Sequence, residues 1–323
     1  MRVVRVRQFG TPEVLSVEES EEPQAGPGQV VIAVEVAGVS FGDTSIRAGR
    51  YPFPLPFIPG WEVGGRITQV GPDGDQSLVG ERVVALVKTG GGYAERVVVD
   101  IATICPVPQT LPIEQAVGVF VAGGTALYMS KMAHIRPGEA VLVTAAAGST
   151  GSQLVQFAKA AGAGIVIGAA GSKEKLALVA RLGADAGINY REENWTEQVR
   201  DATGGKGADV VFDAVGGTIG QQAFEVTARG RGRLVVYGSS SGTETTIGMH
   251  TLSQRGVTLI GALGIAMTRT EQETLADSRN ALQEAVAGRL IAVLGPTYPL
   301  ERAAEAHAAI EARENVGKIL LIP

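Results

Sequence analysis

Residues 141–151, VLVTAAAGSTG, constrain the fold more than any other part of the sequence. They join an apolar run to a helical pattern through a glycine-rich turn, a variant of the G-x-G-x-x-G motif with alanine at the first position. Gly148 lets the backbone approach a pyrophosphate, and Gly151 lets the next helix pack closely on the strand. Free N–H groups at a helix N-terminus favour anions. These two glycines, with Ser149 and Thr150, are therefore predicted to bind a dinucleotide cofactor.

Apolar strand-like runs alternate with amphipathic helical segments from about residue 138 onward. The predicted strands are 140–144, 165–167, 186–189, 209–212, 234–237 and 257–260. Helical patterns such as 149–161 and 173–182 separate most of them. Strands that alternate with crossover helices predict an α/β fold with a doubly wound parallel sheet.

The two ends of the chain have a different pattern of apolar and polar residues. Residues 1 to about 110 form short alternating apolar and polar runs broken by Gly and Pro, which predicts a β-rich domain. After residue 268 come a long helical stretch, a turn at Gly295-Pro296, a helix at 303–312 and a final strand at 318–322. We expect a substrate domain over 1–120, to which 266–323 returns, and a cofactor domain over 121–265.

Charge and composition exclude several classes of protein. The net charge of −5 argues against nucleic-acid binding, and the basic cluster RGRGR at 229–233 fits a solvated loop between a helix and a strand. The N-terminus alternates like a strand, and no apolar stretch is long enough to span a membrane. Cys105 is the only cysteine, which excludes an internal disulfide and a thiolate zinc cage. We expect a soluble, cytoplasmic protein with neither nucleic acid nor membrane as partner.

The residues after the second predicted strand favour NADPH over NADH. A carboxylate there would bind the ribose hydroxyls and repel a 2′-phosphate, but the chain reads GAAGSKEK at 168–175. A hydroxyl from Ser172 and two ammonium groups from Lys173 and Lys175 follow, but the two lysines cannot both face one point, because side chains two residues apart on a helix point in different directions. A capped helix start with both lysines in solvent also explains these residues. The two interpretations are compatible, since Ser172 can cap the helix and still donate to a phosphate.

Motifs spread along the whole chain carry a family resemblance. They are GVSFGD (38–43), IRAGRY (46–51), PGWEVGG (59–65), GERV (80–83), AAAGSTG (145–151), LGAD (182–185), INY (188–190) and GK (317–318). In this ordered set the chain resembles the zinc-independent quinone oxidoreductases of the medium-chain dehydrogenase/reductase superfamily, the group that includes zeta-crystallin. The resemblance implies a GroES-like β-rich substrate domain, a Rossmann domain that binds NADPH, and a homodimer.

The resemblance also implies which residues bind the cofactor. Ser172, Lys175 and Tyr190 would surround the 2′-phosphate, and Thr125 would contact the nicotinamide. Tyr190 fits a packed aromatic at a strand end as well. The remaining predicted cofactor residues are Gly171, Gly238, Ser239, Asn315 and Lys318.

Three positions separate the chain from the zinc-dependent alcohol dehydrogenases of the same superfamily. Where those enzymes place a histidine, a cysteine and a third zinc ligand, this chain has Trp61, Ser40 and Val121. None of the three is a competent zinc ligand. The hydroxyl that relays the alcohol proton in those enzymes would fall at Gly42. We therefore predict no metal site.

The lack of a Lewis acid points to the type of substrate. Nothing would stabilise an alkoxide, whereas a quinone or electron-poor alkene delocalises the charge that hydride brings. We expect an NADPH-dependent reductase of quinones or other conjugated carbonyls; a 2-alkenal or enoyl reductase and a non-catalytic, crystallin-like NADPH-binding protein are the alternatives. The catalytic candidates are Tyr51, Asp43, Trp61 and Ser40. Asp43 fits an ordering role in its loop better than proton transfer, and Tyr51 fits an ordinary turn aromatic equally well.

Trp61 has two interpretations. It packs the core of its domain, or it walls the space that a metal would have filled and offers a flat apolar face to a planar ring.

The segment 257–261 bears on assembly. It is apolar and forms the last predicted strand of the sheet, which would leave an exposed edge. We expect this edge to pair with its copy across a two-fold axis.

Overall fold

The structure, a computed structural model, describes residues 1–72 and 74–323. The chain forms two compact units, Met1–Val121 with Ser278–Pro323, and Ala122–Asp277. The first unit resumes at Ser278, whereas the sequence placed the return at residue 266. Asp277 explains the difference locally, because it forms ion pairs with Lys131 and Arg269, both in the second unit. No described helix is long and apolar enough to cross a membrane.

Helices occur in both units of the described chain. In chain order they are α1 (Phe41–Arg47), α2 (Ile113–Met132), α3 (Ser149–Ala160), α4 (Lys173–Arg181), α5 (Trp195–Ala202), α6 (Gly217–Val226), α7 (Met249–Arg255), α8 (Ala262–Thr268), α9 (Glu271–Val286) and α10 (Ala303–Glu311). Short 3-10 turns lie at Pro12–Val14, Gln76–Leu78, Ile101–Thr103 and Leu300–Arg302.

Strands dominate the first unit and alternate with helices in the second. They are β1 (Arg2–Val6), β2 (Leu15–Glu19), β3 (Gln29–Val39), β4 (Glu62–Val70), β5 (Arg82–Leu86), β6 (Arg96–Asp100), β7 (Ile104–Pro106), β8 (Ala140–Val143), β9 (Ile165–Ala170), β10 (Ala186–Asn189), β11 (Val210–Asp213), β12 (Arg233–Val236), β13 (Thr258–Gly261), β14 (Leu294–Pro299) and β15 (Lys318–Ile322).

The second unit is built on one parallel sheet in the order β10-β9-β8-β11-β12-β13. The chain moves outward from β8 to β10 and then restarts at β11, so the strand order reverses between β8 and β11. Helices cover the sheet closely; at Gly168 in β9, a Cβ would lie 2.0 Å from a methyl group of Val179 in α4. The predicted α/β class with a doubly wound parallel sheet is confirmed.

The first unit contains a mainly antiparallel sheet in the order β14-β15-β3-β4-β5-β7, with β6 paired to β3. Valine is the commonest residue in its core, and Leu300, Ala306 and Ile310 near the C-terminus pack against these valines. β1 and β2 form a separate hairpin-like pair. The first unit is therefore rich in β-structure, and the C-terminal segment completes it, because β14 and β15 form one edge of this sheet.

One prediction in this unit was wrong. Gly295 and Pro296 were expected in a turn, but they belong to β14, whose pairing with β15 shifts register between Leu294 and Thr297. β14 is the outer strand of the sheet. Proline lacks an N–H group and is tolerated on an edge strand or at a bulge, so Pro296 marks an irregular edge rather than a reversal of the chain.

The first unit contains a cluster of buried polar side chains. The hydroxyl of Tyr93 and Nε2 of His307 lie 3.1 Å apart and share a hydrogen bond, and both side chains are fully buried. Arg47, also buried, donates to the carbonyl of Thr44 and pairs with Glu311. Burial and the charge of Arg47 lower the pKa of His307 to about 3. His307 is therefore neutral in the folded protein and joins the network as a hydrogen-bonding group.

Replacing His307 should change how stability depends on pH. The unfolded histidine titrates near pH 6.5 and the folded one near pH 3, so stability is lost as pH falls from 6.5. One pKa unit corresponds to about 1.4 kcal/mol, so this loss is roughly 2 kcal/mol at pH 5. In His307→Gln, the fall in the free energy of urea unfolding between pH 7 and pH 5 should be smaller by about that amount.

The exposed His250 of α7 provides the control. His250→Gln should leave the pH dependence as in the wild type. An identical pH dependence for His307→Gln and the wild type would mean that folding does not lower the pKa of His307.

Candidate cofactor and substrate sites

The glycine-rich turn lies between β8 and α3, as the sequence predicted. α3 begins at Ser149 with Gly148 as its N-cap residue. At Gly151 a Cβ would lie 2.3 Å from the carbonyl oxygen of Ala145, a distance that no side chain tolerates. Ala145 itself has a left-handed φ of +48°. The turn is therefore closed tightly, and it presents the N-terminus of α3 at the carboxyl end of the sheet.

The start of α3 has the features of an anion site. The first N–H groups of a helix have no partner within the helix. The side-chain oxygen of Ser149 is buried and has no hydrogen-bond partner among the described residues. A phosphate would satisfy this hydroxyl and the free N–H groups together. The structure thus brings Gly148, Ser149, Thr150 and Gly151 into one place whose chemistry fits a pyrophosphate.

A second turn follows β9. Ser172 caps α4, where its hydroxyl accepts a hydrogen bond from the N–H of Lys175 at 3.3 Å. A Cβ on Gly171 would lie 2.9 Å from Nε of Arg191 and 3.4 Å from the ring of Tyr190. Tyr190 and Arg191 therefore lie against Gly171, and Ser172 and Lys175 follow it directly at the start of α4.

The charges at this second turn favour an anion. Burial, and then the positive charge of Arg191, lower the pKa of Lys175. Lys175 is half-buried, whereas Lys173 is exposed, in agreement with the expectation that the two lysines point in different directions. A half-buried lysine and an exposed arginine, beside two hydroxyl-bearing side chains, suit a dianionic phosphate.

Arg191 is the site residue that the sequence reasoning missed. It follows Tyr190 directly, in the loop after β10. Because β9 and β10 are neighbouring parallel strands, their carboxyl ends meet at one edge of the sheet. The signal was therefore present in the strand order, since the residue after Tyr190 had to lie beside Gly171.

The β11–α6 turn is held to the glycine-rich turn by Asp213. Its carboxylate accepts hydrogen bonds from the hydroxyl of Thr144 at 2.7 Å and from the N–H groups of Val215 at 3.1 Å and Gly216 at 3.0 Å. Asp213 is buried. This carboxylate fixes the two turns that flank the switch point between β8 and β11.

Gly238 and Ser239 follow β12 at the same edge. Gly216 adjoins this segment, since its Cβ would lie 3.3 Å from Ser239. The N–H of Ser240 donates to the carbonyl of Ala214 at 2.9 Å. In open α/β sheets, ligands bind beyond the carboxyl ends of the strands near the switch point. Gly238 and Ser239 are therefore placed where their predicted cofactor role requires, and that role stays a prediction, as does that of Thr125 in α2.

In the first unit, Asp43 ties the start of α1 to the PGWEVGG turn. Its carboxylate accepts from the N–H of Ser40 at 2.8 Å and from the N–H of Gly60 at 3.2 Å. The hydroxyl of Ser40 donates to the same carboxylate and accepts from the N–H of Asp43 at 3.3 Å, and this last bond completes a capping box. Burial raises the pKa of Asp43 to about 6, against the hydrogen bond from Ser40 and the charge of Lys318. This geometry supports the ordering role for Asp43.

Lys318 has a partner within the protein. Its side chain is buried in β15 and its ammonium group forms an ion pair with Glu62 at the start of β4, and its predicted cofactor role stays a prediction. A buried charge needs a partner, and Glu62 supplies it. Asn315 donates to the carbonyl of Gly317 at 3.2 Å, in the turn before β15. Its cofactor role stays a prediction.

Trp61 lies in an aromatic group rather than in the centre of the core. Its ring meets that of Phe53 edge to face at 5.8 Å and 77°, and Phe53 meets Phe57 in the same way at 4.8 Å and 65°. Trp61 and Phe53 are partly exposed, and Tyr51 is exposed. The main-chain carbonyl of Trp61 accepts from the N–H of Val87 at 2.9 Å, which fixes the turn. Phe53 and Phe57 were not predicted, although YPFPLPF at 51–57 alternates aromatic residues with proline.

The described residues contain no group of three or more His, Cys, Asp or Glu that could hold a metal ion. Ser40 is occupied as a helix cap, and Trp61 belongs to the aromatic group. The prediction of no metal remains a prediction from the residue types at these positions.

Comparison with known proteins agrees with this division of the chain. Residues 26–109 match the alcohol dehydrogenase GroES-like domain, and residues 149–280 match the zinc-binding dehydrogenase family. The chain is 34% identical to quinone oxidoreductase 1 of Escherichia coli (strain K12), with 99% of both chains covered. It is 33% identical to the 2-haloacrylate reductase of a Burkholderia species, with 98% of both covered.

A solved structure shares the whole fold. The structure of Escherichia coli quinone oxidoreductase complexed with NADPH superposes with a TM-score of 0.91 at 32% identity, and the match covers 100% of both chains. The GroES-like and Rossmann-type assignments of the two units are thus confirmed. The chain belongs to the quinone oxidoreductase family of the medium-chain dehydrogenase/reductase superfamily.

Proposed function

We propose that this protein is a zinc-free, NADPH-dependent reductase that transfers hydride to a quinone or another conjugated carbonyl compound. The observation that carries the proposal is the pair of cations, Lys175 and Arg191, beside Gly171, with Ser172 and Tyr190 around them. A 2′-phosphate is the group that distinguishes NADPH, and this cluster offers it charge and hydrogen bonds. Relatives that reduce quinones and 2-haloacrylate support the reaction class.

The residues of the second unit fit NADPH along its length. The N-terminus of α3 with Ser149 would hold the pyrophosphate, and Ser172, Lys175 and Arg191 would hold the 2′-phosphate. When bound, the cofactor supplies the hydride. Asp213 keeps the turns on either side of the switch point in a fixed relation, so the chain positions its ligand without reorganisation.

The first unit supplies the features expected of an acceptor site. Trp61 and Phe53 present partly exposed aromatic surface, which favours a planar conjugated ring. Asp43 holds Ser40 and the backbone of Gly60 in place, so we assign it a positioning role. Tyr51 is exposed and able to donate a hydrogen bond to a carbonyl. A conjugated acceptor carries its own means of delocalising charge, so it needs positioning more than a Lewis acid.

Reduction of an electron-poor alkene is the second candidate. The 2-haloacrylate reductase is as similar to this chain as several quinone oxidoreductases are. An alkene conjugated to a carboxylate and a quinone both accept hydride into a conjugated system, so one site geometry serves either. The acceptor class is decided by the comparison of rates proposed for Trp61 below.

We further propose a cytoplasmic homodimer. β13 is the outer strand of the parallel sheet, and Leu259 on it is exposed. Leu263, Ile265 and Met267 of the adjoining α8 are also exposed. An unpaired edge next to apolar side chains is a surface that proteins cover, and pairing with a second copy across a two-fold axis covers both edges at once. A single buried cysteine is compatible with a reducing compartment.

Lys175→Glu should weaken NADPH binding selectively. A charge-assisted contact with the 2′-phosphate is worth roughly 1.5–3 kcal/mol, or about 10- to 100-fold in affinity. NADH lacks that phosphate and should bind nearly as before. Dissociation constants for both cofactors, measured by fluorescence titration, give the comparison.

The control is Lys173→Glu, which makes the same charge change two residues away on an exposed position of α4. It should alter neither constant by more than about twofold. Equal losses of NADPH and NADH affinity in Lys175→Glu would place Lys175 outside the 2′-phosphate site.

Trp61→Ala should reduce activity toward aromatic quinones more than toward short enals. An indole face contributes contact area to a fused ring that a three-carbon acceptor cannot use. The ratio of kcat/KM for a naphthoquinone to that for a short enal should fall, and Trp61→Phe should restore most of it. An unchanged ratio together with a lowered Tm would show that Trp61 only packs the domain.

The wild type should be a dimer by light scattering at micromolar concentration. Leu259→Lys places a charge on the β13 edge and should yield monomers. Val79→Lys alters another exposed apolar residue, in the first unit, and should leave the dimer intact. A monomeric wild type would refute this mode of assembly.

A further inference from the structure

We propose a second anion site, for a compact polyphosphate such as pyrophosphate, in a cavity of about 520 Å³ on the second unit. The cavity lies between the ends of α5, α6 and α7 and the loops that lead into β11 and β12. These are the amino ends of the parallel strands. The glycine-rich turn and the Gly171 cluster lie at the carboxyl ends, so the cavity is on the opposite edge of the sheet from the proposed cofactor site.

Positive charge is concentrated in this cavity. Five cationic side chains line it, and Glu225 is the one carboxylate among the residues that line it; the cations are Arg200, Lys206, Arg229, Arg231 and Arg255. Arg231 is paired with Asp209 at 2.7 Å. Counting Glu225 and Asp209 leaves an excess of three positive charges, in a chain whose net charge is −5.

Several of these cations have no partner in the protein. Within residues 1–72 and 74–323, no hydrogen bond or ion pair engages the side chains of Arg200, Lys206 or Arg229. Nε of Arg255 is buried and has no acceptor among the same residues. A buried donor without a partner carries a desolvation cost that an anionic ligand would remove.

Helix ends account for part of this charge. The C-termini of α5, α6 and α7 carry partial negative charge and attract cations. Arg255 meets that need at the end of α6, since its Nη2 donates to the carbonyls of Glu225 at 2.9 Å and Thr227 at 2.7 Å. The same guanidinium is nevertheless disfavoured where it stands, because burial and the charges of Arg229 and Arg200 lower its pKa. The surplus is therefore larger than the helix ends require.

The lining indicates the ligand class. No aromatic side chain lines the cavity, so nothing there would stack on a nucleobase. Gly205 and Gly207 have no side chains to fill the cavity, and the other small lining residues leave room for linked phosphates. The volume lies within the range of about 300–1,000 Å³ that small-molecule sites occupy. Two linked phosphates carry negative charge comparable to the excess of the cavity.

Calorimetric titration of the NADPH-saturated protein with inorganic pyrophosphate tests the proposal. Saturating NADPH occupies the phosphate positions at the other edge, so the heat reports on the cavity alone. We expect one pyrophosphate per chain, with binding that weakens as salt rises. The double variant Lys206→Gln/Arg229→Gln removes two exposed cations and should weaken binding about tenfold or more.

The matched control is Arg136→Gln/Arg181→Gln, which removes two exposed cations of the same unit outside the cavity. It should change pyrophosphate affinity by less than about twofold. Absence of binding at millimolar pyrophosphate, or equal weakening in both double variants, would overturn the proposal. Binding that Lys175→Glu abolishes and the cavity variant does not would also overturn it, because the ligand would then occupy the cofactor site. The outcome is independent of which acceptor the enzyme reduces.

Discussion

The close approach of α3 to the glycine-rich turn is the constraint on which the second unit depends. Gly151 lies so near the carbonyl of Ala145 that a single added carbon would collide with it. That contact sets where α3 begins, which in turn aims its free N–H groups and Ser149 past the end of β8. Asp213 then ties the neighbouring turn to the same point. The proposed anion site would thus follow from backbone packing, to which Ser149 adds a hydroxyl group.

In the first unit, buried charged and polar side chains hold neighbouring segments together, whereas in the second unit close backbone packing does so. Lys318 and Glu62 form a buried ion pair beside Asp43, and Tyr93 with His307 continues the polar cluster. The ionisations of Asp43 and His307 change the stability of the unit in opposite directions with pH. Stability from Asp43 is lost as pH rises from 3.8 to about 6, and stability from His307 is lost as pH falls from 6.5 toward 3. Over the same interval the two contributions oppose each other, so the unit is less sensitive to pH than either residue alone.

Local patterns predicted most of the fold and the position of the glycine-rich turn in it. The strands of the parallel sheet and the glycine-rich turn came from short-range periodicity and glycine placement, which report directly on backbone geometry. Arg191 was missed because its neighbours come from a different strand. The ion pair of Lys318 was not foreseen because its partner, Glu62, is 256 residues away along the chain. Pro296 was read as a turn because proline marks both turns and irregular edge strands. In each case the missing information was which segments lie side by side.

The placement of Lys175 and Arg191 has a consequence for how cofactor preference could change in this family. The two cations come from separate segments, Lys175 from the first turn of α4 after β9 and Arg191 from the loop after β10. Under the proposed function, loss of either residue removes one charge and leaves the other in place. Preference for the phosphorylated cofactor is therefore divided between two independently variable segments. A lineage can move from one nicotinamide cofactor to the other through intermediates that accept both, without passing through an inactive protein.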